Sequence, residues 1–139
     1  RIALYQPEIP GNVGAILRLA ACFSVAVDII EPCGFIFSDT RLKRAGMDYI
    51  SHVELSVTRL DTFCEQLTGR LILLSSKAQT RHTDFRFDSG DTLLMGQESA
   101  GVPDPVRDRC DAQVRIPLNP AVRSLNISVA TGIALSEAL

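Results

Sequence analysis

The chain has 139 residues, 14 Lys+Arg against 16 Asp+Glu, and a formal net charge of −2. With 46% hydrophobic and 22% charged residues its composition excludes a disordered chain. No stretch approaches the roughly 18 uninterrupted apolar residues of a membrane span, and so balanced a charge excludes coating nucleic acid by bulk electrostatics while leaving room for a local basic patch.

Ile2-Ala3-Leu4-Tyr5 is a short apolar run closed by Pro7 and reads as a buried strand. After the loop Gln6–Asn12, Val13, Ile16, Leu17, Ala20 and Phe23 recur at helical spacing, with Asn12 placed to cap that helix. Ala26–Ile30 reads as a second strand closed by Glu31-Pro32, and Asp39–Ala45 as a short basic helix stopped by Gly46. Thr58-Arg59-Leu60-Asp61 has the spacing of a capping box, opening a helix that turns Leu60, Phe63, Cys64 and Leu67 inward and ends at Gly69. Leu71–Leu74, Thr92–Met95 and Gln113–Ile116 are further strands, and Leu125–Leu139 is helical and apolar almost all round, predicting burial on several sides.

Strands alternating with helices predict an α/β domain on a parallel sheet, one domain over 1–139, since a chain of about 150 residues buries roughly 70% of its surface. No signal-peptide pattern is visible, and both ends, Arg1 and Leu139, read as trimmed. Cys22, Cys33, Cys64 and Cys110 form no C-x-x-C pair and lie near no histidine at metal-ligand spacing, which predicts reduced, mostly buried thiols in a cytoplasmic protein with no metal. His52 and His82 stand apart from any nucleophile and read as ordinary surface or loop residues.

In α/β sheets ligands sit beyond the carboxyl ends of strands, which points to three loops rich in Gly, Pro and polar residues: Gln6–Asn12, Gly96–Pro105 and Pro117–Asn126. The first has Gly11 and Gly14 before a helix and Glu31 after the next strand, an incomplete dinucleotide fingerprint; Gly14 equally serves close helix–sheet packing. The second sets Gly96 and Gly101 around Glu98, exposing main-chain groups at a pocket mouth or making a plain turn. The third brings Arg123, Ser124 and Asn126 to the start of the last helix, where free N–H groups favour anions and a simple N-cap is the alternative.

These loops carry a resemblance. Pro7-Glu8-Ile9-Pro10 with Asn12, Gly14, Ile16 and Arg18; Gly96, Glu98, Gly101 and Pro103; and Arg115-Ile116-Pro117-Leu118 followed by Arg123-Ser124-Leu125-Asn126 together resemble the SPOUT (TrmH-like) RNA 2′-O-methyltransferases. Ile30-Glu31-Pro32, Gly34-Phe35, the Arg41–Tyr49 segment and Lys77 look like the TrmL branch, which methylates the ribose of the wobble nucleotide, cytidine or uridine, in leucine tRNAs. The resemblance runs from about Ile2 to Ala138.

It implies a C-terminal deep trefoil knot, S-adenosylmethionine as cofactor with S-adenosylhomocysteine as product, tRNA as substrate, and a homodimer with no membrane or DNA partner. It also implies Arg18, Asn12 and Asn126 as catalytic residues, and Leu74, Gly96, Glu98, Gly101, Ile116, Ser124 and Leu125 as cofactor-binding ones. Arg41, Lys43, Arg44, Lys77 and Arg81 form the candidate RNA footprint, against the plainer alternative of a solvated helix face. Ser136 replaces a usual Tyr, Ser24 and Ala78 replace usual glycines, and Ser99-Ala100 is a variable part of the second motif. The competing expectations are a cofactor-binding RNA module without turnover, and methylation of another tRNA or rRNA site.

Overall fold

The computed structural model describes residues 1–36, 50–122 and 125–139. Its strands are β1 (Ile2–Tyr5), β2 (Val27–Glu31), β3 (Leu55–Arg59), β4 (Leu71–Leu74), β5 (Thr80–Arg81), β6 (Thr92–Met95) and β7 (Ala112–Arg115). The helices are α1 (Pro10–Phe23), α2 (Leu60–Gln66), α3 (Asp104–Asp108) and α4 (Ile127–Ala138). The strands form one sheet in the order β3-β2-β1-β6-β4-β7-β5, and every neighbouring pair is parallel.

The apolar runs follow from a sheet covered on both faces. Ile2 and Leu4 of β1, Val27 and Ile29 of β2, Ile72 of β4, and Leu93 and Met95 of β6 pack against Val13, Ile16, Leu17 and Ala20 of α1 and Ala134 and Leu135 of α4. The alternate residues Ala3, Tyr5, Ile30, Leu71, Leu73 and Leu94 face Phe63 of α2 and Val102 and Val106 around α3. Each fully buried Ile, Leu or Val contributes about 1.5–3 kcal/mol relative to leaving it exposed. The α/β class with a parallel sheet is therefore as expected.

Several local expectations are corrected. Asn12 does not cap α1: Ile9 holds the cap position without a side-chain bond, and Pro10 fills the first turn, where its missing N–H costs nothing. The capping box does not form, because Thr58 is committed to β3 and pairs with Ile30; Asp61 Oδ1 instead accepts from the neighbouring Thr62 amide at 2.9 Å. Neither β3, β5 nor α3 was expected, and the second and last predicted strands each sit one residue from their expected positions.

His82 is buried rather than superficial, with Nδ1 3.3 Å from the Arg115 carbonyl oxygen. His52 is exposed. The cysteines are free, Cys22 is exposed and the other three are half-buried, so the thiols are less buried than expected. Burial pushes the Cys33 and Cys110 thiols up to about 11. The helix expected at 39–45 lies outside the described residues. In α4, Thr131, Ala134 and Leu135 are buried while Val129 and Ile133 face outward, so within one chain its burial is one-sided.

Ser24, where the resemblance leads one to expect Gly, ends α1 with φ 55°, in the left-handed region that costs a non-glycine residue roughly 1 kcal/mol or more. The base of the loop before β6 is held by Arg70, which donates to Asp91 at 2.9 and 2.7 Å and lies over the Phe85 ring at 5.0 Å.

Candidate active site

The register of the sheet decides what meets at its carboxyl edge. Leu74 pairs with Met95 of β6 and Val114 of β7, so the chain leaves three adjacent strands at one level. Gly96 and Ile116 follow those strands, and a cavity of ≈ 750 Å³ opens between the three exits. Leu74, Gly96, Glu98, Gly101, Ile116 and Leu125 all line it; Ser124 lies outside the described residues.

Two glycines shape this wall. A Cβ on Gly96 would stand 2.7 Å from both the Cα and the carbonyl carbon of Gly101, closer than any side chain can approach. Gly101 itself has φ +65°, and a Cβ there would meet nothing within 4 Å. The turn is closed by Gln97 and Gly101 exchanging backbone hydrogen bonds of 2.8 and 2.9 Å. At the end of β1, Gln6 adopts φ 43°, a strained conformation for a non-glycine residue, and its carbonyl accepts from Gln97 Nε2 at 3.3 Å.

A chain of polar contacts ties the loops together. Glu98 accepts from the Glu8 amide at 3.2 Å and from Asn12 Nδ2 at 3.4 Å. Asn12 Oδ1 accepts from Asn126 Nδ2 at 3.0 Å. Asn126 Oδ1 in turn caps α4, accepting from the Ser128 and Val129 amides at 2.9 and 3.3 Å. A second tie runs from Ser99, whose amide and hydroxyl both donate to the Glu8 carboxylate at 2.8–2.9 Å. The Ser99 amide, then its hydroxyl, hold the Glu8 carboxyl below the usual carboxylate range.

Asn12 and Asn126 are thus brought together, whereas Arg18 is exposed on α1 and does not line the cavity. Lys77, at the cavity, and Arg81 of β5 are exposed four residues apart after β4; Arg41, Lys43 and Arg44 lie outside the described residues. Sequence reasoning missed the Glu8–Ser99 tie and Arg107, which lines the cavity from α3. Glu8 stood in the first motif and so was findable, but nothing in the sequence marks Arg107. Among the described residues no group of three or more His, Cys, Asp or Glu could hold a metal ion, and no helix is long and apolar enough to cross a membrane.

The cavity suits a small ligand with apolar faces and a few polar groups. Ligand pockets run to roughly 300–1,000 Å³ with apolar walls and a few placed polar groups. Here Leu74, Ile116 and Leu125 supply apolar wall, while the Gly96–Gly101 turn brings bare backbone to the edge.

Such a cavity beyond the carboxyl edge of a parallel sheet defines an α/β ligand-binding domain. The chain belongs to the SpoU rRNA Methylase family, which it matches over residues 1–136. A tRNA (cytidine(34)-2'-O)-methyltransferase of Beijerinckia indica is 51% identical over 142 residues, spanning 99% of this chain and 89% of that protein. A solved structure concerned with the 2-OH methylation of C/U34 on tRNA superposes with a TM-score of 0.90 at 41% identity, covering 99% of this chain and 86% of that one. An AdoMet-bound rRNA methyltransferase from Sinorhizobium meliloti gives a TM-score of 0.88 at 27% identity, covering 99% of this chain and 54% of that one. The family resemblance drawn from the three motifs is therefore correct.

Proposed function

We propose that this chain methylates the ribose 2′-oxygen of nucleotide 34 of tRNA, in leucine tRNAs, using S-adenosylmethionine and releasing S-adenosylhomocysteine. The observation that carries the reading is the convergence of six expected cofactor-binding residues from separate segments on one cavity, beside loops joined through Glu98, Asn12 and Asn126. The relatives named for cytidine 34 support the nucleotide.

The bound cofactor supplies a reactive methyl group on a cationic sulfur. The chain's residues hold and align the partners, and they help the hydroxyl lose its proton. Leu74, Gly96 and Ile116 offer main-chain groups to the adenine, with Ser124 and Leu125 closing over it. Asn12 holds the first loop and the ribose. A guanidinium is no free base, so Arg18 is given a binding and positioning role. Its planar fork binds the phosphate on the 3′ side and orients that phosphate, or a water, to take the proton. Lys77 and Arg81, with Arg41, Lys43 and Arg44, bind the tRNA backbone, so binding weakens steeply with salt.

The functional unit in this reading is a cytoplasmic homodimer, one domain per chain, whose second subunit completes the substrate site that Arg18 serves. Phe23 on α1 and Val129 on α4, each 50% exposed, support an apolar interface there. In this reading the three motif loops form a deep trefoil knot through which the last helix is threaded. Knots are otherwise almost absent from folds, and this one would keep the cofactor bent.

Tritiated-methyl transfer to bulk tRNA, followed by mapping of the modified nucleotide, tests the reading. Label in the 2′-O-methyl of nucleotide 34 is the expected result. Cofactor binding without incorporation would instead mark a binding module. Arg18→Lys keeps the charge but loses the fork, so turnover should fall at least tenfold with cofactor affinity unchanged; near-normal turnover would remove Arg18 from the mechanism.

A further inference from the structure

The cavity holds one charge that no motif accounts for. Arg107 lines it from α3, just beyond the Gly96–Pro103 turn, and its side chain is 26% exposed. Its Nε is fully enclosed and has no hydrogen-bond partner among the described residues. The guanidinium has one loose ion pair, Nη1 3.7 Å from Asp104, whose own side chain is 88% exposed. A pair so open to water contributes little. Native structures rarely leave an enclosed N–H without an acceptor, so Arg107 is short of partners, and the exposed part of its side chain lies at the cavity wall, where a ligand can bring one.

The other charges of the cavity are placed differently. Glu98 already accepts from the Glu8 amide and Asn12 Nδ2, and Lys77 is exposed to solvent. We propose that Arg107 binds the carboxylate of the cofactor's amino-acid tail, an inference that rests on the cofactor reading above. The carboxylate is the single anionic group of S-adenosylmethionine, and a guanidinium fork matches it with two parallel hydrogen bonds. A tRNA phosphate would be met at the outer surface, where Lys77 and Arg81 are exposed, whereas Arg107, 26% exposed, sits in the cavity wall.

The test uses two ligands that differ in the tail. S-adenosylhomocysteine carries the carboxylate; 5′-methylthioadenosine keeps the nucleoside and sulfur but lacks the amino-acid group. Calorimetric affinities are measured for the parent protein, Arg107→Gln and Arg107→Lys. The expected result is a loss of about ten- to hundredfold in S-adenosylhomocysteine affinity for Arg107→Gln, the range of a charge-assisted hydrogen bond, with methylthioadenosine unchanged within about twofold. Arg107→Lys should recover part of the loss by retaining the charge. Equal weakening of both ligands would make Arg107 a structural residue and overturn the proposal. So would unchanged binding of both with a raised KM for tRNA, which would place Arg107 on the RNA. A parent protein that binds neither ligand would refute the cofactor reading itself, and so is distinguishable from a failure of Arg107 alone.

Discussion

Asn126 joins two jobs that substitution can separate. Its Oδ1 caps α4 and its Nδ2 donates to Asn12, itself bonded to Glu98. Asn126→Ala removes both. Loss of a cap costs about 1 kcal/mol, and loss of an ordinary side-chain hydrogen bond about 1 kcal/mol more. For a domain of this size a destabilisation of about 2 kcal/mol lowers Tm by roughly 6 °C. Asn126→Asp keeps a capping oxygen at the positive end of α4 but loses the donor and sets a carboxylate against Asn12 Oδ1. Its Tm should therefore stay within about 2 °C of the parent, close to what retention of the cap allows. Methyl transfer should nevertheless fall several-fold, because the first loop is no longer tied to the last helix. Thermal unfolding followed by circular dichroism, with turnover measured on the same preparations, tests both halves. An aspartate variant as unstable as the alanine variant would refute the cap assignment, and full turnover in it would refute the tie.

Gly96→Ala places its Cβ 2.7 Å from a Gly101 backbone held by two hydrogen bonds, so neither side can yield cheaply. A destabilisation of about 1–3 kcal/mol, the usual cost of overpacking, should appear in urea midpoints; parent-like stability would show that the turn relaxes freely. The Asp91 carboxyl, held down chiefly by hydrogen bonds from Arg70, titrates below its ordinary value of 3.8. Its contribution to stability is complete above about pH 5 and fades as pH falls through 3.8 and below, since protonation is then favoured in the unfolded chain first. Urea unfolding of Asp91→Asn across acid pH should show a shallower decline than the parent, and an identical slope would refute the assignment.

Residues close in sequence announced most of the secondary structure. The runs at Ile2–Tyr5, Leu71–Leu74 and Thr92–Met95 are apolar on both strand faces, which only a sheet covered on both sides accommodates, and α1 shows its helical spacing plainly. β3 escaped because it lies at the sheet edge, half-buried, with Ser56 and Thr58 diluting its apolar residues. Asn12 and Thr58 misled for a common reason. Each has the side chain of a good cap, but long-range partners, Glu98 for one and the β2 ladder for the other, claimed it first.

The sequence by itself determined the α/β class, the family and the three polar, Gly- and Pro-rich loops that follow β1, β6 and β7, because hydrophobic period and loop composition are local properties. Only the tertiary structure decided which of those residues meet. Strand register brings Leu74, Gly96 and Ile116 to one level, although they are spread along nearly a third of the chain. Asn12 reaches Asn126 across 114 residues of sequence. Arg107 acquires its place in the cavity through packing of a helix that the sequence did not reveal. Such meetings depend on strand order and close packing, which no local pattern encodes.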